Sequence, residues 1–176
     1  MTVIYFSHVG EHWINGRPVQ QDVGNTQFLA EQIAQVLGES PVRIVPEEFY
    51  PQEYEELVEK IRVERQTGRL PAIAKPHEIE VNDRLLIGYP IWFGTIPNVV
   101  KNFLQQLKNP PQVTYPFCTN EGSGMGNSEN ELRQILPLTK LEPGLAIRGS
   151  RVQQATTAIS HLSLIHISEP TRRRGI

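Results

Sequence analysis

The sequence predicts an α/β fold: a doubly wound, five-stranded parallel sheet with helices on both faces. Three observations carry that prediction. Short apolar strand patterns and longer helical patterns alternate five times along the chain, an order that implies parallel pairing through right-handed crossovers. One of the strands, RLLIGYP at 84–90, is almost continuously apolar, as a strand is when helices cover both of its faces. A length of 176 residues with 39% apolar content suits one domain that can bury a real core.

The first strand is TVIYF at 2–6, β-branched and aromatic, bounded by Ser7 and Gly10. The stretch GEHWINGRPVQQD that follows is rich in turn formers; Asn15-Gly16 is a turn signal and Pro18 argues against helix. It reads as a long excursion. From Asn25, the apolar positions Phe28, Leu29, Ile33, Val36 and Leu37 recur at helical spacing, and Gly38 stands where the helix should stop. VRIVP at 42–46 is the second strand. The second helix, at 50–66, puts Tyr54, Leu57, Val58 and Ile61 on one face and pairs Glu56 with Lys60 one turn on. After a proline-punctuated link and the central strand at 84–90, PNVVKNFLQQL at 97–107 is a helix with Pro97 in its first turn, where a missing amide proton costs nothing. QVTYPFCT at 112–119 is the fourth strand, NSENELRQIL at 127–136 a helix capped by Asn127 or Ser128, and GLAIRG at 144–149 the fifth strand.

A fifth helix starts near Arg151, but Thr156, Thr157 and Ser160 weaken it. The domain is therefore read as residues 1–162, followed by a separate segment at 163–176 that Arg172, Arg173 and Arg174 make basic against Glu169. Two readings of this segment stand. It is a disordered tail, or a non-native end, because SLIHISEPTR resembles a sequence that recurs in translations of adapter-contaminated reads. On the second reading the last helix is truncated.

The composition excludes several functions. A formal charge of −2 supplies no basic face for nucleic acid. The lone Cys118 excludes an intrachain disulfide framework and a cysteine-based zinc cage. No stretch approaches the roughly 20 apolar residues of a membrane span, and no basic leader precedes the first strand. The expected setting is cytoplasmic, with no membrane partner. Cys118 lies inside a strand and reads as a small buried hydrophobe. His8 and His12 lack a nearby third metal ligand.

In an open parallel sheet, ligands sit beyond the carboxyl ends of the strands. Ser7-His8, GYPIWFGT at 88–95 and TNEGSGMGN at 119–127 all fall there. Ser7 with Gly24-Asn25-Thr26 forms a phosphate-cradle candidate, since a helix N-terminus offers unpaired amides and partial positive charge; alternatively Asn25 or Thr26 caps its own helix. No GxxxxGK[ST] pattern occurs. Trp92 and Phe93, flanked by Pro90 and Gly94, wall a flat ring or pack beneath a loop, and taken alone Phe93 reads as a packing residue. The glycine-rich stretch after the fourth strand fails the dinucleotide fingerprint because Asn127 occupies its last position.

Together, YFSH…GNT, GYPIWFGTIPNVVKNFL and FCTNEGSGMGNS resemble the flavodoxin family, in particular its branch with a long insertion in the phosphate loop. The resemblance runs from residue 2 to residue 155. It implies strand order 2-1-3-4-5, noncovalently bound FMN, and electron transfer between redox partner proteins, a reductase and an acceptor. By position, Ser7, Gly24, Asn25 and Thr26 hold the FMN phosphate, with His8 placed beside them. Pro90, Ile91, Trp92, Phe93, Gly94 and Thr95 form the loop on one face of the isoalloxazine ring, Trp92 being the stacking partner. Thr119, Asn120, Glu121, Gly122 and Ser123 line its pyrimidine edge. His12, Trp13 and Asp22 are further candidates for the ribityl chain or ring. No catalytic side chain is implied, because the cofactor carries the chemistry. Two alternatives stand beside the electron carrier. One is an NAD(P)H-dependent FMN or quinone reductase, with a second pocket built by the insertion around Trp13. The other is a flavin-free binding module or a damaged, non-binding product.

Overall fold

A computed structural model describes residues 1–162; the segment at 163–176, with the tail and truncation readings attached to it, lies outside the described residues. The chain begins in β1 (Thr2–Tyr5) and leaves the sheet through a hairpin, β2 (Gly10–Ile14) and β3 (Arg17–Gln21). It returns as α1 (Asn25–Leu37), followed by β4 (Val42–Arg43), α2 (Tyr54–Thr67), β5 (Arg84–Pro90) and α3 (Asn98–Gln105). The remaining elements are β6 (Val113–Asn120), α4 (Ser128–Ile135), β7 (Lys140–Leu141), β8 (Leu145–Arg148), a 3-10 segment (Gly149–Gln154) and α5 (Thr156–Leu162).

All pairings in the main sheet are parallel, in the order β4-β1-β5-β6, with β7 and β8 both on the far side of β6. Counting β7 and β8 as one interrupted strand, this is the 2-1-3-4-5 order. The interruption falls at Glu142-Pro143-Gly144, where proline has no amide for the ladder. The second strand is shorter than expected: after Ile44 donates to the Tyr5 carbonyl at 2.7 Å, the chain turns to residues 72–74 for its partners. Helix α2 also starts later than expected, at Tyr54, because its N-cap Glu53 is extended (φ −72°, ψ 134°). The expected fifth helix is a 3-10 segment leading into α5.

Alternate residues of each strand face opposite layers. Ile4, Phe6, Ile87 and Tyr89 join Leu57, Ile61, Val100 and Phe103 on one face, while Val3, Tyr5, Leu86 and Phe117 join Leu29, Ile33 and Ile159 on the other. The sheet is thus covered on both sides. Gly88 sits mid-strand in β5 opposite Phe117, and a Cβ there would strike the Phe117 ring at Cε2 and Cζ. Cys118 is a core residue, fully buried, and burial pushes its thiol up to about 12.

The excursion is a two-stranded antiparallel hairpin, which the sequence pattern did not announce. Its turn is Asn15-Gly16, with φ of 51° and 81°, the left-handed pair that a two-residue hairpin turn requires. Ile14 and Arg17 flank that turn, so the next pair, Trp13 and Pro18, falls on a non-hydrogen-bonded rung and the proline costs no bond. An isolated hairpin is marginal in water; this one is seated on α2. The Glu11 amide donates to the Gln52 carbonyl at 2.8 Å, and the Glu11 carboxylate accepts the Tyr54 amide of the first helical turn at 2.9 Å. Trp13 packs on Tyr54 with ring centroids 5.3 Å apart.

Two consequences are measurable. Gly88→Ala should cost about 1–3 kcal/mol of stability through overpacking against Phe117, read as a lower urea midpoint at unchanged slope; an unchanged midpoint would contradict the close approach. Glu11→Ala removes a helix cap supplied from the hairpin and should cost about 0.5–2 kcal/mol. It should also raise the rate of proteolytic cleavage between residues 10 and 21, and a hairpin cut no faster than in the wild type would refute this seating.

Candidate functional site

The site is built where β1, β5 and β6 end and α1 begins. Helix α1 starts at Gly24 with no side-chain cap of its own. Its cap comes from β1's end instead: Ser7 Oγ accepts the Gln27 amide at 3.0 Å. Gly24 lies so close that a Cβ would strike Ser7 Oγ and the His8 carbonyl oxygen. The next amide in line, that of Phe28, donates to the Gly24 carbonyl. Among the described residues, no acceptor meets the Asn25 and Thr26 amides, so the start of α1 keeps two donors and the positive end of its dipole. Thr26 Oγ1 pairs with Thr119 Oγ1 at 2.8 Å in a buried bond that ties α1 to the end of β6. Arg43, at the end of β4, donates to the Ser7 carbonyl at 3.0 Å.

The loop after β5 is a tight turn. Trp92 and Thr95 exchange backbone bonds of 3.1 and 3.0 Å, and Phe93 and Gly94 between them have φ of 51° and 74°. A bulky residue in the left-handed region is uncommon and costs roughly 1–2 kcal/mol. Its effect is to turn two adjacent aromatic rings apart. Trp92 goes inward, edge-on to Phe6 at 5.4 Å and Tyr50 at 5.0 Å. Phe93 goes outward, 51% exposed, beneath the Arg65 guanidinium at 5.1 Å. The expectation that Phe93 is a packing residue therefore fails: the positive φ points it away from the core. Behind Trp92, the Tyr50 hydroxyl donates to the buried Glu64 carboxylate at 2.9 Å, and burial pushes the Glu64 carboxyl up.

The loop after β6 is shaped by Asn120, whose side-chain oxygen accepts the Gly122 and Gly124 amides at 2.9 and 3.2 Å. It locks onto the other loop where the Asn127 amide donates to the Gly94 carbonyl at 2.7 Å. Glu121 is held near Arg148, which donates to its backbone carbonyl at 3.2 Å, and burial raises its carboxyl.

These pieces enclose a cavity of about 420 Å³. Of the sequence-predicted residues, His8, Asn25, Thr26, Pro90 to Gly94, Thr119 to Glu121, and Ser123 line it, as do the further candidates His12 and Trp13. Ser7, Gly24, Thr95 and Gly122 do not reach the lining; they shape it from behind. Asp22 is exposed and lies off the cavity. Sequence reasoning missed Glu11, Tyr54, Leu57, Val58 and Ile61, which form the wall beneath the hairpin. The apolar face of α2 was legible as a face, but that it borders a cavity was not. Arg43 was missed as well, since a strand arginine carries no signal until its position beside Ser7 is known.

Charge in this cavity is one-sided. Glu11 and Glu121 line it, and among the described residues no lysine or arginine does. His8 is 6% exposed, its ring pushed down to about 4, first by burial. It is therefore neutral at physiological pH. His12 is also lowered by burial.

Comparison with known proteins agrees with this architecture. Crystal structures of flavoproteins from Bacteroides uniformis (TM-score 0.68, 21% identity, 90% of this chain and 96% of that one) and Bacteroides eggerthii (0.65, 22%, 90% and 96%) share the fold. So does a flavoprotein from Lactobacillus acidophilus crystallised in complex with FMN (0.58, 20%, 87% and 95%). A search of curated proteins finds no match. The flavodoxin family model matches residues 21–161, most of the described domain, and the chain belongs to the flavodoxin family.

Proposed function

We propose that the cavity binds FMN and that the protein is an electron carrier. One observation carries this reading: two helix amides, on Asn25 and Thr26, that meet no acceptor among the described residues belong to residues lining the same cavity as an aromatic turn. An anionic tail and a flat ring are thereby served within one space. The FMN complex of the Lactobacillus acidophilus relative supports it. The residues present fit the group. The close approach of Gly24 to Ser7 and His8 makes the cradle, and the hydroxyls of Ser7 and Thr26 stand beside it. Phosphate would be held by amides, the helix dipole and hydroxyls, with Arg43 as the nearest cation behind Ser7.

FMN, when bound, accepts and releases electrons. The chain's part is to orient and shield. Trp92, fixed edge-on by Phe6 and Tyr50, would wall one face of the ring, and the loop at 119–123, shaped by Asn120, would meet its pyrimidine edge. Glu11 and Glu121, with no cation among the lining residues, disfavour additional negative charge on the ring. Electrons would then come from a reductase protein and pass to an acceptor protein at the cavity mouth, where Phe93 and Trp13 are 51% and 44% exposed. No described helix is long and apolar enough to cross a membrane, and a cytoplasmic setting suits a chain whose single cysteine is a buried free thiol.

The test is cofactor affinity. Protein that stays colourless after FMN addition and desalting would refute the reading outright. Thr26→Val removes a hydroxyl that this reading assigns to the phosphate, and losing a hydrogen bond to a charged group costs about 1.5–3 kcal/mol, or roughly ten- to hundredfold in Kd. Fluorescence titration should show that loss for FMN and a smaller one for riboflavin, which lacks the phosphate. Equal FMN affinity in the variant would move the phosphate elsewhere.

A further inference from the structure

A second cavity, of about 370 Å³, lies between the end of β1 and the loop that follows β4. It is separate from the flavin cavity: His8 is the one described residue that borders both. Its Nε2 lies 2.7 Å from the Pro51 carbonyl oxygen, so the ring is keyed in place between the two spaces. The lining is largely apolar and preformed. Phe6 and Tyr50 are buried, with ring centroids 5.7 Å apart, and Val45, Pro46 and Phe49 extend their apolar surface. The segment that carries these last three is pinned by backbone bonds. The Val45 carbonyl accepts the Ala74 amide at 2.8 Å, and the Glu47 amide donates to the Ala72 carbonyl at 2.9 Å. Phe49 stands at the outer side of this lining, 78% exposed.

The charge here is opposite to that of the flavin cavity. Arg43 lines the space, and among the described residues no aspartate or glutamate does. Of the five N–H groups on a guanidinium, Arg43 spends one on the Ser7 carbonyl at 3.0 Å and one on Gln27 Oε1 at 3.5 Å. It forms no ion pair among the described residues. The other polar lining groups do not compete for it. The Tyr50 hydroxyl donates to Glu64, and the His8 ring is neutral. These facts select a ligand. One guanidinium balances one negative charge, and its planar fork matches a carboxylate. A doubly charged phosphate would bring a second charge with no partner, and a cation would meet Arg43. The aromatic lining residues suit a flat ring.

We propose that this second cavity binds a small aromatic carboxylate, of the benzoate and naphthoate class, with the carboxylate on Arg43 and the ring against Phe49. Arg43 reads the charge and Phe49 the ring. The site is independent of the flavin reading, since its lining shares only His8 with the flavin cavity.

The experiment is calorimetric titration of the full chain, with and without saturating FMN, using 2-naphthoate and its uncharged amide, 2-naphthamide. The two probes share a ring and differ in the charge. Naphthoate should bind roughly tenfold more tightly, the worth of a hydrogen bond to a charged group. Arg43→Gln should erase that difference, and Arg43→Lys, which keeps the charge without the fork, should restore part of it. Phe49→Ala, at a position too exposed to carry the fold, should weaken both probes by roughly three- to tenfold. A retained melting transition verifies that each variant is folded. Equal affinity for the two probes in the wild type overturns the proposal, as does a preference for naphthoate that survives in Arg43→Gln, or unchanged affinity in Phe49→Ala. Naphthoate that is displaced one for one by FMN also overturns it, because the probe would then occupy the flavin's cavity. The same pattern in a chain that takes up no FMN would sustain this site while refuting the flavin.

Discussion

The rim of this protein depends on one short contact, the first turn of α1 pressed against the end of β1. Gly24 allows it, because any side chain there would occupy the place of Ser7 Oγ and the His8 carbonyl. Ser7 then does from outside the helix what a capping residue does from within, taking the Gln27 amide. Because that cap comes from the strand, Asn25 and Thr26 need not turn inward to serve their own helix. Their amides stay open, and the Thr26 hydroxyl is free to bond across to Thr119. The pocket end of the helix is thus donor-rich because a neighbouring strand closes the turn behind it.

The insertion has to leave and re-enter through that same contact, since Ser7 and Gly24 touch while the chain between them makes a long detour. A hairpin meets the requirement: its strands satisfy one another's backbone groups and its two ends emerge side by side. Its stability is borrowed from α2, through the Gln52 carbonyl, the Tyr54 amide and the Trp13 ring contact. The same attachments bring the first turn of α2 into the cavity wall. An element that in a plain doubly wound fold would only cover the sheet here borders the site.

Much of this was legible in the sequence, and for identifiable reasons. RLLIGYP is a buried central strand over the span its apolar run predicts, and GNT lies at the start of a helix beside Ser7. The loops at 90–95 and 119–123 converge on one cavity because parallel strands end on the same side of a sheet. What was not legible depends on partners distant in the chain. Asn15-Gly16 marked a turn, but Pro18 concealed the strand around it, since only the register of the ladder shows that its rung needs no amide. Trp92 and Phe93 are indistinguishable as sequence; the positive φ of Phe93 separates them, and that is fixed by the bonds between Trp92 and Thr95. Glu11 reads as a surface carboxylate until the start of α2 is found against it.

Trp92 shows how far the support of such a site extends. Its ring is held by Phe6, next to Ser7 at the end of β1, and by Tyr50, which is held in turn by Glu64 from α2. The aromatic wall and the helix-start cradle are therefore positioned by the same strand. Along the lining the polar character changes, from amide donors at the start of α1 to the Glu11 carboxylate in the hairpin. A ligand with an anionic tail and a neutral ring has one favourable orientation in such a gradient, tail to α1 and ring between the loops. Reversing it would put the anion against Glu11 and leave the Asn25 and Thr26 amides without a partner, and both changes are unfavourable. Orientation is thus set by helix amides and by the placement of acceptors, in a cavity lined by no positively charged side chain among the described residues.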